Sequence, residues 1–276
     1  MEAIMPHARL GRAGAQGRRR LAIFALLALS AIQVPLAAAN ELSMVRQAFV
    51  RQVSRHLSLP AAVATRYADL LASALQAGGQ EADAGDWAVL VDRNPRVQAA
   101  MLFARTDERA PWQWVGATPV STGKPGAFNH FITPVGVFAH SMENLDFRAE
   151  GTYNENGIRG YGVSGMRVYD FGWVDARRGW GKGGESQMRL QMHATDPARL
   201  EPRLGRPASK GCVRIPATLN RLLDHYGLID ADYLAAAGRG DSLWILARDR
   251  TPVARPGRYL VIVDSGARAP DSPLSQ

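Results

Sequence analysis

Ser209-Lys210-Gly211-Cys212-Val213-Arg214 surrounds the single cysteine of this 276-residue chain, and fifteen residues separate His193 from the start of that run. A lone thiol forms no internal disulfide, so Cys212 is a packing residue, an intermolecular link or a reactive nucleophile. Most single cysteines pack in hydrophobic cores, usually among aliphatic residues of a strand or helix. The small and charged neighbours of Cys212 make a poor core, which favours the nucleophile.

His193 is the natural base for this thiol. Met188, Leu190 and Met192 alternate with polar residues over 187–193, which predicts a strand with His193 at the end of its polar face. At neutral pH only a few per cent of an ordinary thiol is ionised, and a nearby histidine can remove its proton.

The residues around the thiol can support the same chemistry. Lys210 and Arg214 add positive potential, and either can bind a substrate carboxylate. Gly211 lets the backbone approach a substrate carbonyl, so that backbone N–H groups near Cys212 can form an oxyanion hole. A predicted helix begins at Pro216, and its positive end would lower the thiol pKa further if the thiol packs there.

The N-terminus has the features of a targeting segment. Three arginines at 18–20 precede an apolar run over 21–36, and Ala37-Ala38-Ala39 supplies a cleavage pattern of small residues. We therefore expect residues 1–39 to be a signal peptide, with the mature chain beginning at Asn40 and the protein exported to the periplasm or cell envelope. The alternative is an uncleaved anchor, for which the apolar run is short.

Charge and composition argue against a nucleic-acid-binding protein. The formal net charge is +8, and residues 1–39 supply +4 of it. The remaining positive charge is mild and scattered, so it predicts no nucleic-acid surface. A hydrophobic content of 46% and a charged content of 21% are ordinary for a globular protein, so we expect a folded core.

Hydrophobic spacing predicts helices before the strands begin. Apolar residues at spacings of three and four predict a helix over 42–57 and a second one after Pro60, which Gly78-Gly79 ends. We interpret residues 40–80 as a helical hairpin extension that braces the main domain. The functional alternative is a docking module for a partner. The small, acidic segment over 80–86 is typical of a linker.

Short strands dominate the rest of the chain. The predicted strands are at 87–91, 99–103, 112–120, 135–140, 187–193, 242–247 and 258–263, with a short helix over 216–226. Residues 141–185 are rich in glycine, asparagine and arginine, which predicts a long functional loop or lid. The end after Gly266 is expected to be loose. These patterns predict a mainly β domain with one or two short helices.

Two motifs together resemble a known family. His193, the fifteen-residue gap and the run over 209–214 resemble the signature of the L,D-transpeptidase catalytic domain of bacterial cell-wall enzymes. A second family feature is Ser121-Thr122-Gly123-Lys124 followed by Thr133-Pro134-Val135-Gly136-Val137-Phe138. The resemblance covers residues 86–249, interpreted as the catalytic domain, and leaves 250–276 as a C-terminal strand and loose tail.

The resemblance implies a fold, a reaction and a substrate. It implies a mainly β, sandwich-like catalytic domain with short helices, whose cysteine attacks peptidoglycan stem peptides. The thiolate would attack the carbonyl of the third residue of a tetrapeptide stem, expel the terminal D-alanine and leave a thioester. A side-chain amine of a neighbouring stem would then attack, which crosslinks two third residues, and the histidine would serve both steps. No metal or organic cofactor is implied, and penem-type β-lactams are the expected covalent inhibitors.

The resemblance also suggests roles for individual residues. The family often orients its base through the main-chain carbonyl after the histidine, here Ala194, with the Asp196 side chain as an alternative. Ser209 shapes the loop near the thiol or forms a simple turn, and Arg214 binds substrate or forms a structural ion pair. A histidine commonly stands where this chain has Lys210, so the lysine supplies charge or binds a carboxylate, which leaves the substrate preference open.

Other side chains give weaker signals. His130 and His140 lie near the second motif and can line a substrate groove, although a histidine at a strand end is more often structural. With no second cysteine they make a poor metal site. Four tryptophans can stack on sugar rings or pack in the core or rim: Trp112, Trp114, Trp173 and Trp180.

Three alternatives to the transpeptidase remain from the sequence. Water in place of the amine gives an L,D-carboxypeptidase that trims tetrapeptides to tripeptides. A lysine-bearing envelope protein as acceptor gives attachment of a protein to peptidoglycan. A non-catalytic scaffold would bind peptidoglycan after losing the chemistry through Lys210. The expected partners are peptidoglycan stem peptides and, in the attachment reaction, that envelope protein; no nucleic acid is expected.

Overall fold

Two mixed β-sheets form the framework of residues 37–266, the part of the chain that the computed structural model describes. The strands are β1 (Trp87–Asp92), β2 (Ala99–Ala104), β3 (Gln113–Pro119), β4 (Gly136–Ala139), β5 (Phe147–Arg148), β6 (Arg167–Arg177), β7 (Glu185–His193), β8 (Val213–Arg214) and β9 (Tyr259–Val263). The five-stranded sheet has the order β3-β2-β1-β9-β4, and the four-stranded sheet has the order β5-β6-β7-β8. The pairs β1–β9 and β7–β8 are parallel. The described chain is mainly β, as the sequence predicts.

Short helices complete this part of the chain. They are α1 (37–52), α2 (Ala61–Ala77), α3 (Ala217–Tyr226) and α4 (Ala231–Gly238), with a 3-10 turn at Glu201–Arg203. None of the helices between residues 37 and 266 is long and apolar enough to cross a membrane. The predicted signal peptide lies outside the described residues except for its last three, and the tail after Gly266 lies outside them too.

The two N-terminal helices pack on opposite faces of the five-stranded sheet, so the structure does not confirm the predicted hairpin over 40–80. Helix α1 contributes to the core between the two sheets through Leu42, Val45, Ala48 and Phe49. Helix α2 packs on the other face through Tyr67, Leu71 and Leu75. Helical spacing identifies each apolar stripe, but it carries no information about the surface that the stripe covers.

Both faces of the five-stranded sheet are covered, and this explains the unbroken apolar runs of β1 and β2. Val89 and Val91 point into the core shared with the four-stranded sheet, whereas Ala88 and Leu90 point toward α2. Strand β9 lies between β1 and β4, so the C-terminal segment 250–276 supplies an inner strand of this sheet.

The predicted loop over 141–185 is wrong for much of its length, because it contains β5 and the 11-residue strand β6. Strand β6 has a β-bulge between Asp170 and Trp173, where Gly172 adopts a φ of +80°. The bulge breaks the simple alternation that marks a strand in a sequence. The remaining irregular segments of this region lie beside the candidate site described below.

The predicted strand over 242–247 is also wrong. The chain turns there, and the Leu246 N–H donates to the Leu243 carbonyl at 3.1 Å. Trp244 is 74% exposed and Ile245 is buried, so the apolar residues of this segment do not share one sheet face. A short apolar run is compatible with a buried turn as well as with a strand.

Candidate active site

The two sequence motifs lie side by side where the two sheets meet. Ser121 and Arg214 exchange backbone hydrogen bonds, with N–O distances of 3.0 and 2.9 Å. Two residues further on, Gly123 forms a parallel bridge with Ser209. The second motif therefore supports the loop that carries Cys212.

Thr133 of the second motif supports the glycine that precedes the thiol. Its buried hydroxyl donates to the Gly211 carbonyl at 2.6 Å and accepts from the Gly123 N–H at 2.8 Å. Gly211 has a φ of +136°, and a Cβ there would lie 2.8 Å from the Met188 side chain. The backbone conformation therefore favours glycine before Cys212, and a larger residue would also displace the end of the Met188 side chain.

Strands β7 and β8 place the thiol and the imidazole on one face of the four-stranded sheet. His193 lies opposite Arg214, and Met192 lies opposite Val213. Because Met192 and Val213 point into the core, His193, Arg214 and Cys212 point to the other face. Cys212 comes just before β8, and the hydrogen bond of its thiol is to the Arg189 carbonyl on β7 rather than to the imidazole.

His193 is a buried, neutral imidazole. It is 5% exposed, and its Nδ1 donates to the Ala194 carbonyl at 2.5 Å, which assigns the lone pair to Nε2. Burial is the main reason that its pKa falls to about 4, and the charge of Arg214 acts in the same direction. The Tyr161 ring packs edge-on against the imidazole, with 4.7 Å between the ring centroids.

The Cys212 thiol is half-buried among polar groups. Its Sγ lies 3.7 Å from the Arg189 carbonyl on β7. Burial raises the pKa of the thiol, while the Gln191 N–H and the charge of Arg214 oppose that rise. The resting pair is therefore a protonated thiol and a neutral imidazole.

Ser209 builds the turn that precedes the thiol. Its hydroxyl donates to the Cys212 carbonyl at 2.6 Å and accepts from the Gly211 N–H at 3.0 Å. This contact occupies the Gly211 N–H, one of the backbone N–H groups around Cys212 where an oxyanion hole is predicted. Lys210 is exposed, and its carbonyl accepts the Phe131 N–H at 3.0 Å.

Arg214 has a guanidinium without a carboxylate partner among residues 37–266. Its Nη1 donates to the Ala208 carbonyl at 3.0 Å, and its Nε is buried without a partner. Burial lowers the pKa of this guanidinium, and the nearby Cys212 opposes the change. A half-buried cation without a carboxylate partner among these residues, close to a thiol, is suited to bind an anionic group.

Two groups that the sequence placed near the site have other functions. Asp196 caps the turn after β7 by accepting the N–H groups of Ala198 and Arg199 at 3.0 and 2.8 Å, so the carbonyl of Ala194, not this carboxylate, orients the imidazole. The N-terminus of α3 receives the Glu201 carboxylate, which accepts the Ala217 N–H at 3.1 Å. That carboxylate, not the thiol, meets the positive end of the helix.

Sequence analysis missed a polar cluster beside the thiol. Asp170 on β6 is 1% exposed and accepts hydrogen bonds from Arg189 Nε and Gln191 Nε2, both at 2.8 Å. Gln191 Oε1 accepts from the Tyr161 hydroxyl at 3.0 Å. The alternation over 187–193 does place Arg189 and Gln191 on the face of His193, but Asp170 and Tyr161 lie in the region predicted as a loop.

A cavity of about 630 Å³ adjoins the site on the side of Tyr161. Strand β5 and the segment after it line this cavity, including Arg148, Glu150 and Tyr153. Because Tyr161 lines the cavity and also packs on His193, the cavity opens beside the imidazole. A cavity of about 730 Å³ lies between α2 and the tryptophans Trp112 and Trp114, and no residue of the Cys212 site lines it.

His140 lies apart from the thiol, whereas Trp173 lies opposite Arg189 on the neighbouring strand. His140 is fully buried, and its two ring nitrogens bond the Ile229 carbonyl and Asp146, so it is structural. Trp180 packs edge-on against Phe131 with 4.9 Å between the centroids, whereas Trp173 is 61% exposed. No group of three or more His, Cys, Asp or Glu side chains within residues 37–266 is arranged to hold a metal ion.

Comparison with known proteins does not identify a family. No protein-family profile and no curated protein matches the chain. A solved structure with partial similarity is that of Bdellovibrio bacteriovorus Bd1075, at 15% sequence identity and a TM-score of 0.29. The alignment covers 66% of this chain and 48% of that chain, about half of its length. The assignment of a function therefore depends on the site itself.

Proposed function

We propose that this protein is an exported peptidoglycan L,D-transpeptidase with Cys212 as nucleophile and His193 as base, built on the sandwich-like catalytic domain of that family. One observation carries the proposal: two motifs that are far apart in the sequence meet around a single half-buried thiol. The neutral imidazole and Arg214, which has no carboxylate partner within residues 37–266, lie on the same sheet face and support it further.

The first half-reaction forms a thioester. The sulfur attacks the carbonyl of the third residue of a tetrapeptide stem while His193 Nε2 accepts the thiol proton. Because the resting pair is neutral, the proton moves as the new bond forms rather than before it. The Cys212 N–H, next to the sulfur, donates to the developing oxyanion. The imidazolium then protonates the amine of the leaving D-alanine, whose carboxylate binds Arg214.

The second half-reaction transfers the acyl group. A side-chain amine of a neighbouring stem attacks the thioester carbonyl, and His193, neutral again, accepts a proton from the amine. The C–S bond breaks, the thiol recovers its proton, and the third residues of two stems are joined by an amide.

Product analysis with purified muropeptides tests the proposal. Wild-type protein should release the terminal residue from a tetrapeptide donor and form crosslinks when an amine acceptor is present, and Cys212→Ala should do neither. Crosslinks formed by Cys212→Ala would count decisively against the proposal. Arg206→Ala is the matched control, because it changes an exposed cation shortly before the same loop and should retain thioester formation.

The same assay separates the other candidate reactions. Release of the terminal residue without crosslinks in the presence of acceptor would identify a carboxypeptidase. A lysine-containing protein that accepts the acyl group where a stem does not would identify attachment of a protein to peptidoglycan. Peptidoglycan binding without thioester formation would identify a scaffold. A penem-type β-lactam should add its mass to wild-type protein and leave Cys212→Ala unchanged.

Export is part of the proposal. Cell fractionation should recover the mature protein in the envelope fraction, with its N-terminus at Asn40. Deletion of residues 1–39 should retain the protein inside the cell, and an exported deletion variant would contradict the assigned role of this segment.

A further inference from the structure

Two arginines lie on either side of the thiol along the strand direction. In the parallel register of β7 and β8, Arg214 stands opposite His193. Cys212 comes just before β8, and its thiol lies beside the Arg189 carbonyl and the Gln191 N–H. Arg189 lies two residues before Gln191 on β7. Arg189 and Arg214 therefore bracket the thiol, with a Cα separation of about 14 Å that their long side chains can shorten.

A buried carboxylate fixes the orientation of the Arg189 guanidinium. Arg189 Nε donates to Asp170 Oδ2 at 2.8 Å, and the exposed fractions of the two side chains are 42% and 1%. Asp170 is held in turn by Gln191 Nε2 and by the Gly172 N–H at 2.9 Å. The Nε contact is the hydrogen bond that this guanidinium makes within residues 37–266, so its Nη groups are available at the exposed end.

The direction of catalysis assigns each arginine to one part of the substrate. His193 must protonate the leaving amine, so the leaving residue and its terminal carboxylate lie on the side of His193 and Arg214. The acyl part of the donor then lies on the opposite side of Cys212, where Arg189 presents its Nη groups. A pre-oriented guanidinium of this kind is suited to a bidentate contact with a carboxylate.

We propose that Arg189 determines specificity by binding a side-chain carboxylate on the third residue of the donor peptide. The assignment rests on the proposed function, because it uses the position of the acyl group at the thiol. The enzyme then prefers a donor whose third residue has a free carboxylate over an otherwise identical donor with a carboxamide. Asp170 is a positioning residue in this scheme, since it touches Arg189 and not the substrate.

Two donor peptides that differ only in this carboxylate or carboxamide test the assignment. The rate of acylation is followed by intact mass. Wild-type protein should prefer the carboxylate donor by about 10- to 100-fold, the range expected for a charged hydrogen-bonded pair. Arg189→Gln should lose that preference, so that its rates on the two donors agree within about twofold. Equal losses on both donors, or a wild-type protein without a preference, would overturn the proposal.

Two further variants control for folding and for general charge. Arg177→Gln removes an arginine from the same sheet face and should retain the preference. Arg177 lies opposite Glu185 and seven residues after Asp170. The double variant Arg189→Gln with Asp170→Asn removes the buried carboxylate together with its cation. It should lose the preference, as the single variant does. A double variant that recovers the preference would overturn the assignment.

Alkylation of the thiol tests Arg189 without the proposed reaction. Cys212 is the single cysteine, so iodoacetate and iodoacetamide report on one site. Both reagents react with the same thiolate, so the ratio of the iodoacetate rate to the iodoacetamide rate does not depend on the thiolate fraction. The ratio measures how strongly the site attracts an anion to the thiol. Arg189→Gln should lower this ratio several-fold and Arg177→Gln should leave it unchanged. An unchanged ratio in Arg189→Gln overturns the assignment, whereas failure of both donors to acylate wild-type protein overturns the proposed function instead.

Discussion

Two buried histidines at strand ends have opposite electrostatic environments. His140, which follows β4, is 0% exposed, and His193, which ends β7, is 5% exposed. Burial by itself would lower the pKa of His140, but Asp146 at 2.9 Å and Asp230 at 3.6 Å outweigh it and raise that pKa. His193 has a carbonyl and a neighbouring arginine instead of a carboxylate, and its pKa falls to about 4.

The difference between His140 and His193 shows that the surrounding charges decide the protonation state of a buried histidine. The imidazolium of His140 belongs to a buried ionic cluster, in which Arg167 binds Asp146 at 2.6 Å and Asp230 at 2.7 Å. Such a group is held in one charge state and stabilises the fold only while its partners remain. The imidazole of His193 is kept neutral, with its orientation fixed by Ala194, and can therefore accept a proton from the thiol.

Exchange of each histidine for glutamine should separate the two roles most strongly. His193→Gln removes the base, so we expect the rate of thioester formation to fall by about 10²- to 10⁴-fold. His140→Gln should destabilise the protein and leave the rate per folded molecule close to that of wild type. Stopped-flow or mass-resolved acylation, combined with the folded fraction from circular dichroism, measures both effects. Equal rate losses in the two variants would remove the distinction.

Loss of the central cation of the buried cluster should be the largest effect on stability. Arg167→Met leaves three aspartates without their shared partner, Asp146, Asp224 and Asp230. We expect the free energy of unfolding to fall by about 3–5 kcal/mol in denaturant titrations. The control is Glu108→Gln, which removes an exposed partner of Arg255 and should cost less than about 1 kcal/mol. Similar losses in the two variants would contradict the importance of the buried cluster.

The pH dependence of stability should differ in sign for the two histidines. The unfolded chain protonates His193 near pH 6.5, whereas the folded chain does so near pH 4. The unfolded state therefore binds the extra proton between these values, and the stability from this residue is lost as the pH falls, up to about 3 kcal/mol. For His140 the folded-state pKa is raised, so its contribution is complete below the unfolded pKa and is lost as the pH rises through the folded value.

Unfolding titrations from pH 7 to pH 4 measure this slope. His193→Gln should flatten the curve of stability against pH relative to wild type over that range, and His140→Gln should not. A wild-type curve with the same slope as His193→Gln would show that the imidazole is not held neutral.

Thr133→Val changes no charge and tests the support of the loop before Cys212. Thr133→Val removes the hydroxyl that joins Gly123 to Gly211, which leaves a buried N–H and a buried carbonyl without this partner. We expect a loss of about 1–3 kcal/mol in unfolding free energy and a slower acylation, because the loop before Cys212 is less well fixed. Thr65→Val on the exposed side of α2 is the control and should change stability by less than about 0.5 kcal/mol.

The sequence predicted the parts of the fold that depend on local pattern. The apolar runs of β1 and β2, the stripe of α2 and the alternation of β7 all appear where the spacing placed them. The bulge at Gly172 concealed β6, because it interrupts the alternation. The predicted hairpin over 40–80 is not confirmed, because the faces that the two helices cover are set by the sheet between them.

The residues of the candidate site that depend on local sequence features could also be predicted. Cys212, His193 and the second motif could be chosen from the sequence, because a single thiol, a polar strand end and a Gly-containing run are local features. The contribution of Asp170 could not be predicted, because its hydrogen bonds with Arg189 and Gln191 join residues of different strands, β6 and β7. The hydrogen bond from the Gly211 N–H to Ser209 could not be predicted either, because it depends on a turn that the spacing does not specify.

Trapping of the acyl-enzyme tests the central claim most directly. Wild-type protein, Cys212→Ala and His193→Gln are mixed with a tetrapeptide donor, and intact mass and peptide mapping locate any added group. Wild-type protein should gain the mass of the tripeptide acyl group at Cys212 and release one terminal residue for each group added. A folded wild-type protein that gains no such mass, or an equal adduct on Cys212→Ala, would contradict that claim.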